Sequence, residues 1–325
     1  MTASSQLTAT GPNTKESSAI DQEPEVPARP GLDGTEPPRE RGATTAPAEL
    51  RADCIADSAG GLTFDLNVPQ DTHVTWSAAL VLRLRGGDGA DDEVRLPLGP
   101  NGAGRLRAVL PSTVALAEGR WNAYADLGDG EDPRRLLPGV NDLRSLVDRR
   151  PLAGIGRLGV RIPYATKFGN LALRSWLRGP HAEAGDILVT PDGMTVSGRL
   201  YGAAPAAGAR AEAWLRRTAA SAEAPAVTVT VPLTVEGAEF SFTLPYAEPA
   251  GHWEDGSEPW DLWLRLAEGA RPVRIARLLD DVADKKQVFA YPVMPVRTAA
   301  GHLRVGPYYT LDNDLALRVA GPAGS

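Results

Sequence analysis

Asp312 and Asp314 stand one residue apart in Asp312-Asn313-Asp314, a D-x-D form. Two carboxylates at that spacing can share a hard divalent cation with a diphosphate, so they are the alternative metal ligands of this sequence. The corresponding positions of an upstream repeat, Phe168-Gly169-Asn170, carry no carboxylate. Asx-rich pieces between strands form hairpin turns, and a turn is the expectation here. Gly154-Ile155-Gly156-Arg157-Leu158-Gly159 matches G-x-G-x-x-G. The dinucleotide fingerprint needs a helix opening on that motif, so that its N-terminus faces the pyrophosphate. Val160-Arg161-Ile162 follows instead, which predicts a loop entering a strand.

Other chemistry is sparse. Asp126, Asp129, Glu131 and Asp132 crowd together without EF-hand spacing and are expected as an acidic turn, as are Asp88, Asp91 and Asp92. Leu279 to Lys286 is expected as a charged loop. The histidines His73, His181, His252 and His302 are isolated, with no metal-binding spacing. No nucleophile elbow and no P-loop occur. Cys54 has no organised base beside it. No catalytic residue, resident metal or cofactor is therefore expected.

Arginines and aromatics remain. Arg134, Arg135, Arg144, Arg149, Arg150, Arg157 and Arg161 crowd one region, and Arg265, Arg271, Arg274 and Arg277 occupy a similar one downstream. Guanidinium forks suit phosphate and carboxylate groups, although acid-paired surface is the ordinary state of such residues. Tyr124 and Trp263 alternate with core positions and face outward, where they either contact a ligand or cover a loop. The candidate ligand-binding residues are Tyr124, Trp263, Arg144, Arg161, Tyr308 and Tyr309.

The elements that carry these residues read as strands. Leu62 to Leu66 and Leu80 to Leu84 alternate apolar and polar residues, and further short alternating segments follow with Gly, Pro, Asp and Asn between them. Such spacing is that of a β-sandwich. Asn141 to Asp148 is a short helix candidate capped by Asn141. Arg210 to Arg217 is a second, although Ala213-Trp214-Leu215 also reads as a strand.

An internal repeat organises the strands. Pro163 to Arg174 aligns with Pro307 to Arg318, with seven of twelve positions identical at an offset of 144. Trp121 pairs with Trp260, Leu110-Pro111 with Leu244-Pro245, Leu96-Pro97-Leu98 with Val231-Pro232-Leu233, and Leu80 to Leu84 with Val196 to Leu200. Residues 58–180 and 181–325 are thus expected to be two copies of one β unit. Period-two spacing places Trp121, Ala123, Ala125 and Trp260, Leu262, Leu264 in the two cores.

Composition bounds the rest. The chain has 325 residues, a net charge of −7 and one cysteine. Residues 1–50 hold no aromatic residue, seven prolines, eight acids and four bases. Such a stretch cannot bury enough apolar surface to offset chain entropy, so 1–57 is expected as a disordered acidic tail. An acidic chain without a basic stripe argues against nucleic acid. No run of 18 apolar residues occurs, the first residues lack a signal-peptide pattern, and a single cysteine fits a reducing compartment. A cytoplasmic protein is expected, extended at most to the inner membrane through a partner.

Val160 to Trp176, Arg274 to Pro292 and Gly306 to Val319 resemble the β-sandwich modules attached to actinobacterial glycosyltransferases and glycerophosphotransferases of teichoic-acid-type cell-wall polymer synthesis. The resemblance spans about residues 60–320. It implies two tandem immunoglobulin-like β-sandwiches, accessory to a catalytic α/β domain that this sequence does not show. It further implies a non-catalytic protein that binds the glycan product or docks on a transferase. The alternative is a glycosyl or glycerophosphate transferase of the same pathway, using a metal at Asp312 and Asp314.

Overall fold

Strict alternation of burial runs through the central strands. In Gly119–Asp126, Trp121, Ala123 and Ala125 are at most 1% exposed, and Asn122, Tyr124 and Asp126 between them are half-buried. That is the pattern of a strand with one face on a core. The computed structural model describes residues 49–321 apart from 70, 103, 148, 152–155 and 217–226. Most of the predicted tail, 1–48, thus lies outside the described residues, as do Gly154 and Ile155 of the Gly-rich motif.

The first half contains β1 (Arg51–Ala56), β2 (Leu62–Asn67), β3 (Ala79–Leu84), β4 (Glu93–Pro97), β5 (Gly99–Pro100), β6 (Leu106–Leu110), β7 (Gly119–Asp126), β8 (Arg134–Arg135), β9 (Leu137–Asp142), β10 (Leu158–Ala165) and β11 (Leu171–Arg178). The second contains β12 (His181–Val189), β13 (Gly193–Tyr201), β14 (Arg210–Leu215), β15 (Thr228–Pro232), β16 (Thr234–Glu236), β17 (Glu239–Pro245), the short helix α1 (Ala247–Gly251), β18 (Ser257–Arg265), β19 (Val273–Ala276), β20 (Met294–Thr298), β21 (Gly301–Tyr309) and β22 (Leu315–Ala320).

The pairings repeat strand for strand. One sheet of the first half runs β5-β6-β2-β1-β9, and the other runs β10-β11-β7-β3-β4 with β8 beside β7. In the second half β16-β17-β13-β12-β19 mirrors the former, and β21-β22-β18-β14-β15 mirrors the latter, with β20 added at the β21 edge. The parallel pair β1·β9 recurs as β12·β19. In the second half β19 pairs β18 as well as β12, which joins its strands in one eleven-stranded sheet, and each half closes on its own apolar cluster. Phe64, Leu80, Trp121 and Leu173 belong to one, and Val196, Phe242, Trp260 and Leu317 to the other. The fold is all-β, two tandem immunoglobulin-like β-sandwiches.

The structure corrects several expectations. Arg210–Leu215 is strand β14, paired on both sides, not a helix. Of the predicted helix at 141–148, Asn141 and Asp142 end strand β9, Arg144–Leu146 forms a single 3-10 turn, and 148 lies outside the described residues. Leu80 to Leu84 lies in β3, whose counterpart by pairing is β14 rather than the β13 segment Val196 to Leu200, because both β3 and β14 lie against the tryptophan strand of their copy. Alternation alone does not distinguish one apolar strand from another. The boundary at 57 also cuts off β1, in which Cys54 is 0% exposed.

Candidate functional site

The β21–β22 connection is a hairpin turn built on Thr310. Its backbone N–H donates to Asp314 O (2.9 Å), and its Oγ1 accepts from the N–H groups of Asp312 and Asp314 (3.2 Å each). Asn313 has φ of +60°, and Gly169 at the same place in the first copy has +75°. That left-handed region is open to Gly and, at less cost than for other residues, to Asn. The asparagine adds two contacts that glycine lacks. Its Oδ1 accepts from Lys285 N (3.1 Å), and its Nδ2 donates to Ala283 O (3.3 Å). The hairpin thereby holds the 280–288 loop, in which the buried Lys285 Nζ donates to Asp280 Oδ1 (2.5 Å) and Val282 O (2.6 Å). Burial pushes the Lys285 ammonium below its usual pKa.

Both carboxylates of the D-x-D turn point to guanidinium groups of the first sandwich. Arg174 donates to Asp312, and Arg178 Nη1 donates to Asp314 Oδ1 at 2.6 Å. Trp176 Nε1 donates to Asp312 O at 3.1 Å. Arg178 also pairs with Glu118 (2.7 Å). Burial opposes its charge, and Glu118 and Asp314 outweigh that, so its pKa lies above the usual arginine range. Among the described residues no group of three or more His, Cys, Asp or Glu side chains could hold a metal. The turn joins the two sandwiches, with carboxylates neutralised by arginine.

On the outward side of β18, β21 and β22 a cavity of about 570 Å³ opens beside this turn. Arg216, Asp261, Lys286, Tyr308 and Arg318 line it. The Arg318 guanidinium lies 4.3 Å over the Tyr308 ring, a cation–π pair. Asp261 is taken by Arg216 and by Arg274 (2.7 Å), and it holds the Arg216 guanidinium above its usual pKa. An adjoining cavity of about 340 Å³ shares Tyr308 and Arg318 and adds Val293 and Arg304. Among the described residues the side chains of Lys286, Arg304 and Arg318 make no ion pair, while every carboxylate of the groove has one. The groove is therefore electropositive within an acidic chain. A third cavity, about 410 Å³, lies at the joint of the sandwiches, lined by Arg149, Arg150, Glu183, Arg199, Tyr201 and Arg277.

Of the six candidate ligand-binding residues, Tyr308 lines the groove. Trp263 is half-buried between Trp214 (4.9 Å between rings) and Arg274 (4.7 Å). Tyr124 is its counterpart, covered by Arg83 (5.2 Å) and Arg135 (4.8 Å). Arg144 is exposed and tied to Asp142 through Nε (2.8 Å) and Nη2 (2.6 Å). Two expectations are corrected. Arg161 is 4% exposed, and its guanidinium donates to the carbonyls of Pro111, Ser112 and Val114; burial pushes its pKa down to about 10. Tyr309 is 0% exposed and packs against Phe289 and Tyr291. Neither is available to a ligand. Arg318, Lys286 and Arg304 were missed. Arg318 was within reach of the sequence, because period two puts it on the outward face of β22, next to the outward Tyr308 of β21.

Neither protein-family profiles nor curated proteins give a match. Among solved structures, residues 217–571 of S. aureus TarS match at 13% identity and a TM-score of 0.28, covering 61% of this chain and 56% of that one. A longer S. aureus TarS structure matches at 12% and 0.28, covering 60% and 34%. The chain thus spans about half of the first and a third of the second. The chicken CNTN1 FN1-FN3 domains match at 11% and 0.18, covering 70% and 62%. At these scores the likenesses carry no functional argument. Among the described residues no helix is long and apolar enough to cross a membrane.

Proposed function

We propose that the chain is a non-catalytic accessory protein of cell-envelope polymer synthesis, cytoplasmic, that acts by recognising an anionic partner in the Tyr308–Arg318 groove. The observation that carries this reading is Arg318 itself. It is stacked on Tyr308, exposed, and without a carboxylate partner among the described residues, in a cavity whose acids are already paired. Such a guanidinium is preorganised for an incoming phosphate or carboxylate. The cell-envelope setting is supported by the resemblance of Val160–Trp176, Arg274–Pro292 and Gly306–Val319 to accessory modules of that pathway. The test has two arms. The full chain is assayed for turnover of nucleotide sugars and CDP-glycerol with Mg²⁺ or Mn²⁺, and none is expected. It is then titrated with one phosphodiester probe and one carboxylate probe at low salt. Binding to at least one, weakened about tenfold or more in Arg318→Ala, is expected; turnover, or binding to neither probe, overturns the proposal.

A further inference from the structure

The two copies use the same arginine differently. Arg174 and Arg318 are equivalent by sequence offset and by strand position, on β11 and β22 respectively. In the first copy Arg174 is 5% exposed, because the D-x-D turn of the next sandwich sits on it. Trp176 donates to that turn's backbone, and Arg178 takes its second carboxylate. In the second copy Arg318 is exposed on Tyr308, flanked by Lys286 and Arg304, whose side chains make no ion pair among the described residues. Val293 and Leu311, 49% and 55% exposed, add apolar surface beside these charges. At this arginine the first copy is covered and the second is open; the Trp176 position is Ala320 in the second copy, whose further cations are Lys286 and Arg304 instead.

We infer that the open groove receives an acidic hairpin turn of the Asp-x-Asp kind from a partner protein, repeating between two proteins the contact that joins the two sandwiches within one. This rests on the anion-recognition reading above and names the partner's chemistry. Docking would bury the Arg318 guanidinium against a carboxylate, as Arg174 is buried against Asp312. The equivalent turns of a second copy of this chain are the wrong occupants. Its own Asp312 and Asp314 are engaged with Arg174 and Arg178, and its remaining equivalent turn, Thr166 to Asn170, carries Lys167 and no carboxylate. A lysine brought to a cationic groove repels it.

The test titrates the full chain with a disulfide-cyclised peptide copying residues 307–316, with the same peptide carrying Asn in place of both aspartates, and with a glycerol-phosphate hexamer. The acidic peptide is expected to bind. Its affinity should fall about tenfold or more on removal of its aspartates, and similarly in Arg318→Ala, with the hexamer a poor competitor. Insensitivity to Arg318→Ala overturns the inference, since the peptide would then be displacing the internal turn at Arg174. Binding of the hexamer through Arg318 without binding of the peptide also overturns it, and leaves the anion-recognition reading standing. Failure of both probes overturns both readings.

Discussion

Arg178 of β11 and Asp314 at the end of the β21–β22 turn lie 2.6 Å apart, with side chains 14% and 12% exposed. Such a mostly buried pair is costly to break from one side, because the remaining charge loses its partner. Asp314→Ala is expected to lower stability by about 1–3 kcal/mol, moderated by Glu118, which stays on Arg178. The same pairing decides the metal question. Mg²⁺ or Mn²⁺ would have to displace guanidinium groups from Asp312 and Asp314, so millimolar additions should leave the thermal midpoint unchanged in the wild type. A rise that vanishes in Asp312→Asn would sink this view and revive the metal-dependent alternative.

Leu278 follows β19 of the second sandwich, yet it is 0% exposed in the apolar cluster of the first, together with Ala276. Its backbone N–H is fixed by the Glu183 carboxylate at 2.9 Å, so the loop is held from the second side and inserted into the first. Leu278→Ala should cost about 2–5 kcal/mol through the cavity it leaves. Native-state hydrogen exchange locates the effect. Protection is expected to fall in β7 and β11 more than in β13 and β17. Equal losses in both sandwiches, or none, would refute a plug acting on the first.

The core was legible because alternation is a direct consequence of the pleat. Trp121 and Trp260, with their even-spaced neighbours, sit where period two puts them. The D-x-D turn was legible too, since Thr310 and Asn313 are turn chemistry in themselves. Long-range pairing was less so. Nothing local to Asp312 says that Arg174, 138 residues earlier in the chain, will meet it. Arg161 shows the converse. Its type suggested an anion, but three backbone carbonyls of the 111–114 loop occupy its donors, and only the folded loop reveals them. Tyr309 and Tyr308 are adjacent in sequence and opposite in fate, and the alternation that separates them was readable once β21 was placed.

Acid stability gives the last prediction, through Asp65 and its cross-strand neighbour Arg107 on β6. Arg107 Nε and Nη2 donate to the two carboxylate oxygens at 2.7 Å each, and Asn101 Nδ2 adds a bond at 3.1 Å. The Arg107 fork holds the Asp65 carboxyl below the usual carboxylate range, in spite of burial that raises it. The folded state therefore binds this proton less readily than the unfolded chain does. The resulting stabilisation is fully present above the unfolded value of about 4, and is lost as pH falls through the folded pKa. Arg107 is 46% exposed, so solvent screens the pair and the effect is modest, about 1 kcal/mol. Urea unfolding of wild type and Asp65→Asn should differ by that amount near neutrality and converge as the pH drops below about 4. A difference that persists unchanged into acid would show that the carboxylate's charge is not what Asp65 contributes.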